Sequence, residues 1–307
     1  MRAGLAALAA VVAFAGCGGN VATRVAAGGD AALQAANGPV APGPGPRPLA
    51  VKLADPRDPV VVRFHHPPRS GLLFDLDTGR VLWRRDPERI LPIASLTKMM
   101  TALIVVAHEP AAAKVRITAM ALRYQGSGVG LLPRGKDVTV ETLLYGLLLP
   151  SGNDAARALA QKVGGSLGGF VAEMNQQAQT LGLRCTHYSS ADGFHDAGNH
   201  SCAVDLAAEA RAILDQPRLA RIVASRSAIR RLPIKGGRLY LYNNNPLYRL
   251  GYAGTIGIKT GFTDAAGQCL VAAVRRHGRR LGLVLLHSPD TASQAEKLLN
   301  YGFRVQG

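Results

Sequence analysis

A serine and a lysine three positions apart stand within an apolar stretch of this chain. Ser95 and Lys98 occur in the segment IASLTKMM, which continues as the apolar run TALIVVAHE. Residues three apart share one face of a helix, so the spacing brings the Ser95 hydroxyl near the Lys98 amine. A hydroxyl nucleophile beside an amine base is suited to covalent catalysis. Alone the pair is a weak signal, because Ser-x-x-Lys arises by chance and Ser95 would also cap a helix.

Two further motifs strengthen a catalytic interpretation. PSGND carries Ser151 and Asn153 at a predicted helix start, where either side chain would cap the helix. GIKTGFT carries Lys259, Thr260 and Gly261 at the end of a predicted strand. The chain has 28 arginines and 8 lysines, yet lysine stands in the first and last motifs. Arginine does not deprotonate in proteins, whereas a desolvated lysine near another cation does, so the lysines predict a general base.

The elements that must position these motifs predict an α+β fold. SGLLFDLDTGRVLWRRDPER has the pattern of a hairpin, and helices are predicted from about Ser95 to His108 and on both sides of a break at Pro150. Helical patterns follow in GGFVAEMNQQAQTLGL, AVDLAAEARAILDQP and TASQAEKLLNYGF, and strand patterns in TIGIKTG, QCLVAAVRR and RLGLVLLHS. The terminal strands should form one antiparallel sheet with helices packed on it.

The chain resembles the serine-type D-alanyl-D-alanine carboxypeptidases, the low-molecular-weight penicillin-binding proteins, in the residues SLTK, SGN and KTG. The resemblance spans about residues 70–303 and includes GLLFDLDTGRVLW, SGNDAA, THYSSADGF and GIKTGFTDAAGQCLVAAV. It implies a penicillin-binding-protein and β-lactamase-like transpeptidase fold, an antiparallel sheet flanked by helices. It also implies a cofactor-free hydrolase that removes the terminal D-Ala from peptidoglycan stem pentapeptides through an acyl-enzyme, and that binds β-lactam antibiotics.

The resemblance also implies a role for each motif residue. Ser95 attacks the carbonyl of the penultimate D-Ala, and neutral Lys98 takes its proton. Ser151 relays the proton to the leaving amine, and Asn153 hydrogen-bonds Lys98 and the substrate amide.

Further roles fall on the last motif. Lys259 and Thr260 bind the terminal carboxylate. The backbone N–H groups of Ser95 and Phe262 form the oxyanion hole, and Gly261 lets an edge strand approach the substrate closely.

Three alternative functions compete with this one. A class A β-lactamase requires a Glu-x-x-x-Asn deacylation motif, but Glu173 and Asn175 are separated by one residue only. A D,D-endopeptidase that cleaves cross-links uses the same groups and stays open. A non-catalytic peptidoglycan-binding protein is disfavoured because every expected catalytic residue is present.

The N-terminus predicts export. Residues 1–16 have the pattern of a signal peptide, residues 17–59 an Ala-, Gly- and Pro-rich tether, and residues 60–307 the catalytic domain. Two cleavage sites compete: an ordinary small-x-small site, and a lipobox that would make Cys17 a lipidated first residue, although Phe14 replaces the usual leucine. We expect an extracytoplasmic protein.

Many members of the resembled family have a second β-rich domain and a C-terminal amphipathic membrane helix. Here the sequence stops at Gly307, just after the last predicted helix. We therefore expect any membrane anchor to be the N-terminal one, through Cys17.

The net charge of +16 suits polyanions such as nucleic acid, anionic lipid or phosphate-bearing wall polymers. No zinc-finger, helix-turn-helix or RNP-like pattern supports nucleic-acid binding. The pairs Arg275–Arg276 and Arg279–Arg280 flank a His-Gly dipeptide and predict a solvated hairpin turn. Nucleic acid is therefore not an expected partner.

Three cysteines lie within the predicted domain. Cys185 and Cys202 close a polar, glycine-containing loop, and in an exported protein this predicts a disulfide between them. Cys269, in a strand beside the Lys-Thr-Gly strand, is predicted to be a buried thiol. A metal site would need further ligands such as His187 or His200, but the spacing matches no zinc pattern, so no metal is expected.

Overall fold

The computed structural model describes residues 50–55, 57–194 and 198–306. The predicted signal peptide, Cys17 and most of the predicted tether lie outside the described residues. Within them, no helix is both long enough and apolar enough to cross a membrane. The strands are β1 (Ser70–Asp75), β2 (Val81–Arg85), β3 (Leu91–Pro92), β4 (Lys114–Arg116), β5 (Asp137–Thr139), β6 (His200–Ser201), β7 (Ser227–Arg231), β8 (Arg238–Tyr242), β9 (Thr255–Thr263), β10 (Gly267–Arg276) and β11 (Arg279–Ser288).

The helices of the same described residues are α1 (Lys98–His108), α2 (Val140–Leu148), α3 (Asn153–Gly164), α4 (Leu167–Thr180), α5 (Ala203–Asp215), α6 (Pro217–Val223), α7 (Pro246–Arg249) and α8 (Thr291–Gln306). A short 3₁₀ turn, Ala94–Thr97, leads into α1.

The central sheet has five antiparallel strands in the order β2-β1-β11-β10-β9. The strand β9, which carries the Lys-Thr-Gly motif, therefore lies at one edge of this sheet. The predicted α+β class, an antiparallel sheet flanked by helices, is confirmed.

Both faces of the central sheet are covered by helices, and successive side chains of a strand point to opposite faces, so alternate residues of one strand belong to different cores. On β10, Leu270 and Ala272 pack with Leu298 of α8, whereas Val271 and Ala273 belong to the larger core under the other helices. This two-sided burial explains why the strands β10 and β11 are continuous apolar runs rather than alternating ones.

Helix α1 is the central helix of the helical layer that packs on the face of the sheet opposite α8. It contacts α2, α3, α4, α5 and α6, so nearly its whole surface is covered. A helix that is apolar all round is expected in such a position. Burial on this scale also means that a polar side chain on α1 must find its partner inside the protein.

Two features differ from the sequence-based expectations. The hairpin of β7 and β8 was not predicted, because its strands are short and half exposed. The β10–β11 turn forms as predicted, but its arginines are not simply solvated. The guanidinium of Arg276 lies 4.1 Å from the centre of the Tyr252 ring, and Arg280 pairs with Asp77.

Ordered contacts begin before the predicted domain boundary at residue 60. The guanidinium of Arg84 on β2 donates to the backbone carbonyls of Leu53 and Asp55, at 2.6 and 2.5 Å. It also forms an ion pair with Asp58, with 2.6 Å between nitrogen and oxygen. Arg84 therefore fixes the end of the predicted tether against the sheet.

The loop between Cys185 and Cys202 is closed by a disulfide, with the two Cα atoms 5.5 Å apart. Next to it, His187 and His200 exchange two backbone hydrogen bonds, both 3.0 Å. Cys269 is buried and does not take part in a disulfide. Cys185, Cys202 and Asp205 also lie close together, but the two sulfurs are bonded to each other and do not offer thiolate ligands.

Removing the disulfide should lower stability but leave the catalytic groups working. The double variant Cys185→Ser/Cys202→Ser is expected to lose on the order of 3 kcal/mol, because a loop of this length is no longer closed in the unfolded chain. Differential scanning calorimetry should show a melting temperature several degrees lower. Below it, penicillin should react at a rate within a few-fold of wild type. Unchanged melting, or two thiols at these positions in protein from an oxidising compartment, would contradict the assignment.

A buried acid and phenol connect this loop to α5. The Tyr188 hydroxyl donates to Glu209 Oε1 at 2.6 Å, and both residues are fully buried. Burial raises the pKa of Glu209 to about 8, against the hydrogen bond from Tyr188 and with a further increase from Asp205. Glu209 is thus protonated in the folded protein at neutral pH.

This raised pKa predicts a pH-dependent stability. The folded state holds a proton that the unfolded state releases above pH 4.5, so the contribution of Glu209 is complete at low pH and is lost as the pH rises towards about 8. Glu209→Gln should remove this dependence, whereas Glu296→Gln, at an exposed position, should retain it. Urea denaturation of the three proteins from pH 4 to 9 measures the effect. A constant difference in stability between wild type and Glu209→Gln would contradict it.

Candidate active site

The first motif is split between two elements. Ser95 lies in the 3₁₀ turn and Lys98 is the first residue of α1, so the predicted single helix from Ser95 begins three residues later. Ala94 has a φ of +48°, which turns the chain sharply just before Ser95. Lys98 Nζ donates to Ser95 Oγ at 2.8 Å. The two groups that the spacing brought together are therefore in direct contact.

Lys98 is fully buried, and its surroundings lower its basicity. Burial reduces its pKa from 10.5 to about 7, while the charges of Asp192 and Asp154 oppose this decrease. A second acceptor is the backbone carbonyl of Asp192, 2.6 Å from Nζ. At neutral pH a large fraction of Lys98 is thus an uncharged amine able to accept a proton.

The carbonyl of Asp192 is held in place by its glycine neighbour. Gly193 has a φ of +74°, and a Cβ at this position would lie 2.0 Å from the Ala94 carbonyl oxygen. Only glycine allows the loop to pack this closely against the turn that carries Ser95. The loop closed by the disulfide thus packs against the turn of Ser95 and contacts Lys98, a role that the sequence did not indicate.

The second motif adopts a strained turn rather than a cap. Gly152, not Ser151 or Asn153, is the N-cap of α3 and no side chain caps it, so the predicted capping is wrong. Ser151 has a φ of +69°, a conformation that costs energy for a residue with a side chain. Ser151 Oγ and Asn153 Oδ1 are buried and have no hydrogen-bond partner among the described residues.

Asn153 differs from its expected pairing. Its Nδ2 donates to the Gln125 carbonyl at 2.5 Å, and Lys98 donates to Ser95 and Asp192 instead. The unpartnered Oδ1 of Asn153 is an acceptor without a donor in this structure. A buried acceptor of this kind is costly unless a ligand completes it.

The third motif lies on the edge strand β9. Lys259 is 2% exposed, and its Nζ donates to the Thr260 carbonyl at 2.8 Å. Burial, and then the charge of Lys98, hold the pKa of Lys259 well below its usual value. Phe262 is 64% exposed at the rim.

Gly261 permits a close contact between β9 and the turn of the nucleophile. A Cβ at this position would lie 2.8 Å from the Ile93 carbonyl oxygen and 3.2 Å from the Ser95 nitrogen. The absence of a side chain therefore lets the backbone of β9 approach the backbone of Ser95. This close approach was expected towards a substrate; in the structure it is made to the protein itself.

A cleft of about 400 Å³ brings the three motifs together. Of the predicted residues, Ser95, Ser151, Thr260, Gly261 and Phe262 line it. Lys98, Asn153 and Lys259 are buried behind this surface. Cys269, predicted from the sequence only as a buried thiol, also lines the cleft. The remaining lining residues were not singled out in the sequence and are Ser127, Asn244, Pro246, Arg249, Gln268 and Thr291.

One wall of the cleft depends on a carboxylate inside the SGND motif. Asp154 accepts the backbone N–H groups of Val129 and Gly130, at 2.8 and 3.0 Å. The backbone N–H of Asn153 donates to the Ser127 carbonyl at 2.8 Å. The motif thus fixes the loop that carries Ser127. Sequence analysis could have identified Asp154 as a residue of the site, because it directly follows Asn153.

Glu173 and Asn175, whose spacing does not match a β-lactamase deacylation motif, lie on α4 and have other contacts. Glu173 pairs with His108, 3.2 Å apart. The Asn175 amide donates to the carbonyls of Val171 and Tyr188. Neither residue lines the cleft.

A family model described as D-alanyl-D-alanine carboxypeptidase, peptidase S11, matches residues 61–290. The chain belongs to this family. Among relatives of this carboxypeptidase family, D-alanyl-D-alanine carboxypeptidase DacB2 of Mycobacterium tuberculosis is 37% identical over 247 residues, which cover 78% of this chain and 83% of the relative. DacF of Bacillus subtilis is 32% identical, and the match covers 62% of its length, less than two thirds.

Solved structures agree with this membership. The Streptomyces K15 DD-transpeptidase has a TM-score of 0.75 at 33% identity, over 80% of this chain and all of that one. A D-alanyl-D-alanine carboxypeptidase of M. tuberculosis has a TM-score of 0.74 at 34% identity, covering 80% of this chain and 94% of that one. The similarity thus confirms the predicted penicillin-binding-protein fold.

The pKa of Lys98 predicts how this family member responds to pH. The rate at which penicillin acylates Ser95 should rise with pH, with a midpoint at about 7, because only neutral Lys98 accepts the proton. Lys98→Arg keeps the charge, and Lys98→Met keeps most of the volume; both should lower the rate at least ~100-fold. Stopped-flow acylation with a fluorescent penicillin measures it. The exposed control Lys297→Arg should behave as wild type. A near wild-type rate for either Lys98 variant would contradict the assigned base.

Proposed function

We propose that this protein is a serine D,D-carboxypeptidase, which removes the terminal D-Ala from peptidoglycan stem pentapeptides. The observation that carries the proposal is the contact between Ser95 Oγ and a buried Lys98 whose pKa is about 7, at the edge of an open cleft. A surface lysine would be protonated at neutral pH and could not activate the serine. The family membership supplies the substrate class.

Acylation would proceed through the residues of the first two motifs. Ser95 Oγ attacks the carbonyl carbon of the penultimate D-Ala while Lys98 Nζ accepts its proton. The proton then passes through Ser151 to the leaving nitrogen. The unpartnered Ser151 Oγ supports this role, because the hydroxyl is not committed to another group. Asn153 Oδ1 is available to the substrate amide N–H.

The third motif would bind both ends of the scissile unit. Lys259 and Thr260 attract the terminal carboxylate, and the backbone N–H groups of Ser95 and Phe262 stabilise the oxyanion. The close packing at Gly261 supports this arrangement, since it brings the two backbone segments together. Water then cleaves the ester and restores Ser95. β-Lactams would acylate the same serine and leave slowly.

The proposal includes an extracytoplasmic location in the cell envelope, where this substrate is found. The disulfide between Cys185 and Cys202 supports it, because such bonds persist in oxidising compartments. Lipidation of Cys17 remains a prediction from the sequence.

Mass spectrometry of a pentapeptide stem, incubated with the protein, tests the function. Loss of one D-Ala per stem is expected, with transient mass addition at Ser95 and none in Ser95→Ala. Ser293→Ala, an exposed serine on α8, is the matched control and should release D-Ala as wild type does. Release of D-Ala by Ser95→Ala, or labelling by penicillin at another residue, would overturn the assignment of the nucleophile.

A further inference from the structure

The side chain of Asp192 has no part in the reaction proposed above, although its backbone carbonyl contacts Lys98. Its carboxylate is buried, with 7% of the side chain exposed. It accepts one hydrogen bond, from the backbone N–H of Phe194 at 3.0 Å. Among the described residues its cationic partner is Arg157, with 3.9 Å between Nη1 and Oδ2. At this distance the guanidinium does not donate a hydrogen bond to the carboxylate. The negative charge of Asp192 is therefore only partly neutralised.

Arg157 is held beside Asp192 by the helix that carries the second motif. It lies on α3, and its Nε donates to the backbone carbonyl of Met120 at 3.4 Å. Its side chain is 21% exposed, so solvent screens its charge only in part. Asp192 thus interacts with two basic side chains, with Lys98 through its carbonyl at 2.6 Å and with Arg157 through its carboxylate. Of the two, only the lysine can lose its proton.

A second carboxylate near Lys98 has a structural role as well. Asp154 is fully buried and accepts the backbone N–H groups of Val129, Gly130 and Ala155, at 2.8, 3.0 and 2.8 Å. Its removal would release the loop that carries Ser127. The carboxylate of Asp192, in contrast, accepts a hydrogen bond from its own loop two residues further on. Asp192 can therefore be neutralised with little change to the wall of the cleft.

The two buried lysines of the site differ in the charges around them. Burial lowers the pKa of both, but the charges of Asp192 and Asp154 oppose this decrease at Lys98, whose pKa is about 7. At Lys259 the neighbouring charge is the like charge of Lys98, which lowers the pKa further. The carboxylates next to Lys98 thus distinguish an amine that titrates near neutral pH from one that does not.

Charged groups on the other elements packed against α1 have partners of their own. Tyr124, near Asp154, has a pKa raised by burial and by that carboxylate. The remaining pairs are Glu141 of α2 with Arg218 of α6, Glu173 of α4 with His108, Glu209 of α5 with Tyr188, and Asp205 of α5 with the Cys185 N–H. Within the described residues, the pair of Asp192 and Arg157 is therefore the charge pair in contact with Lys98 that can be altered without disrupting one of these contacts.

We propose that Asp192 and Arg157 act through Lys98 and together set the pH range over which Ser95 is acylated. The carboxylate favours a proton on the amine, and the guanidinium disfavours it by reducing the effect of the carboxylate and by its own like charge. Without the carboxylate, Lys98 is neutral at lower pH; without the guanidinium, it stays protonated to higher pH. The inference rests on the proposed function, because that function makes Lys98 the base.

The test measures the acylation of the full chain by a fluorescent penicillin from pH 5 to 9. Asp192→Asn keeps the shape of the side chain and the acceptor for Phe194, and should move the midpoint of the rate about one pH unit lower. Arg157→Met should move it about half a pH unit higher, less because the arginine is partly exposed. Arg157→Lys keeps the charge and should retain the wild-type midpoint. So should Arg116→Met, which removes an exposed arginine paired with Asp137.

A second measurement separates the inference from the function on which it rests. NMR of protein labelled with ¹³C at the lysine side chains follows the titration of Lys98 without any substrate and should show the same opposite shifts. Slower acylation with the wild-type midpoint in both variants, or shifts in one direction, would overturn the inference. If Asp192→Asn does not fold, Arg157→Met decides alone, because its midpoint must rise. If penicillin does not acylate wild type, the proposed function fails, and the NMR titration still tests the inference.

Discussion

The arrangement of the candidate active site depends on the exclusion of water from the amine of Lys98. Lys98 contacts the hydroxyl of Ser95 only as long as α1 is covered by five other helices and the loop containing Asp192 closes over its end. Water at this point would return the pKa of the lysine towards its usual value, and the proposed base would then be protonated at neutral pH. Much of the helical layer can be understood as the enclosure that keeps this one side chain uncharged.

Lys98 and Lys259 are both buried, and the positive charge of one lowers the pKa of the other. The charge on Lys98 is one cause of the low pKa of Lys259, so protonation of either amine disfavours protonation of the other. In the proposed mechanism a substrate carboxylate beside Lys259 would change this balance, because it would favour the charged form of that lysine. Charging Lys259 in turn favours a neutral Lys98. Substrate binding at Lys259 and activation of Lys98, the proposed base, would therefore be coupled in the same direction.

The sequence indicated which motif residues lie together at the cleft better than it indicated the residues around them. The three motifs are local patterns whose residue types are set by chemistry, and the apolar runs of β10 and β11 directly indicate a buried sheet. The capping role of Ser151 was wrong because a helix start and a strained turn have the same composition. The Asp192 carbonyl could not be predicted, since every residue has a carbonyl and only the packing of Gly193 brings this one to Lys98. Arg249, which lines the cleft, could not be distinguished in the sequence from the other arginines among the 28.

The second acceptor of Lys98 is a main-chain oxygen, and this determines which substitutions in the loop preserve the contact. The contact to Lys98 is made by the backbone of residue 192, whereas its side chain has a separate role: the buried carboxylate accepts the Phe194 N–H at 3.0 Å and its charge opposes the decrease in the pKa of Lys98. The position that tolerates no substitution is the next one, where any Cβ would meet the Ala94 carbonyl at 2.0 Å. Natural substitutions should therefore be absent at Gly193, although this residue has no functional group.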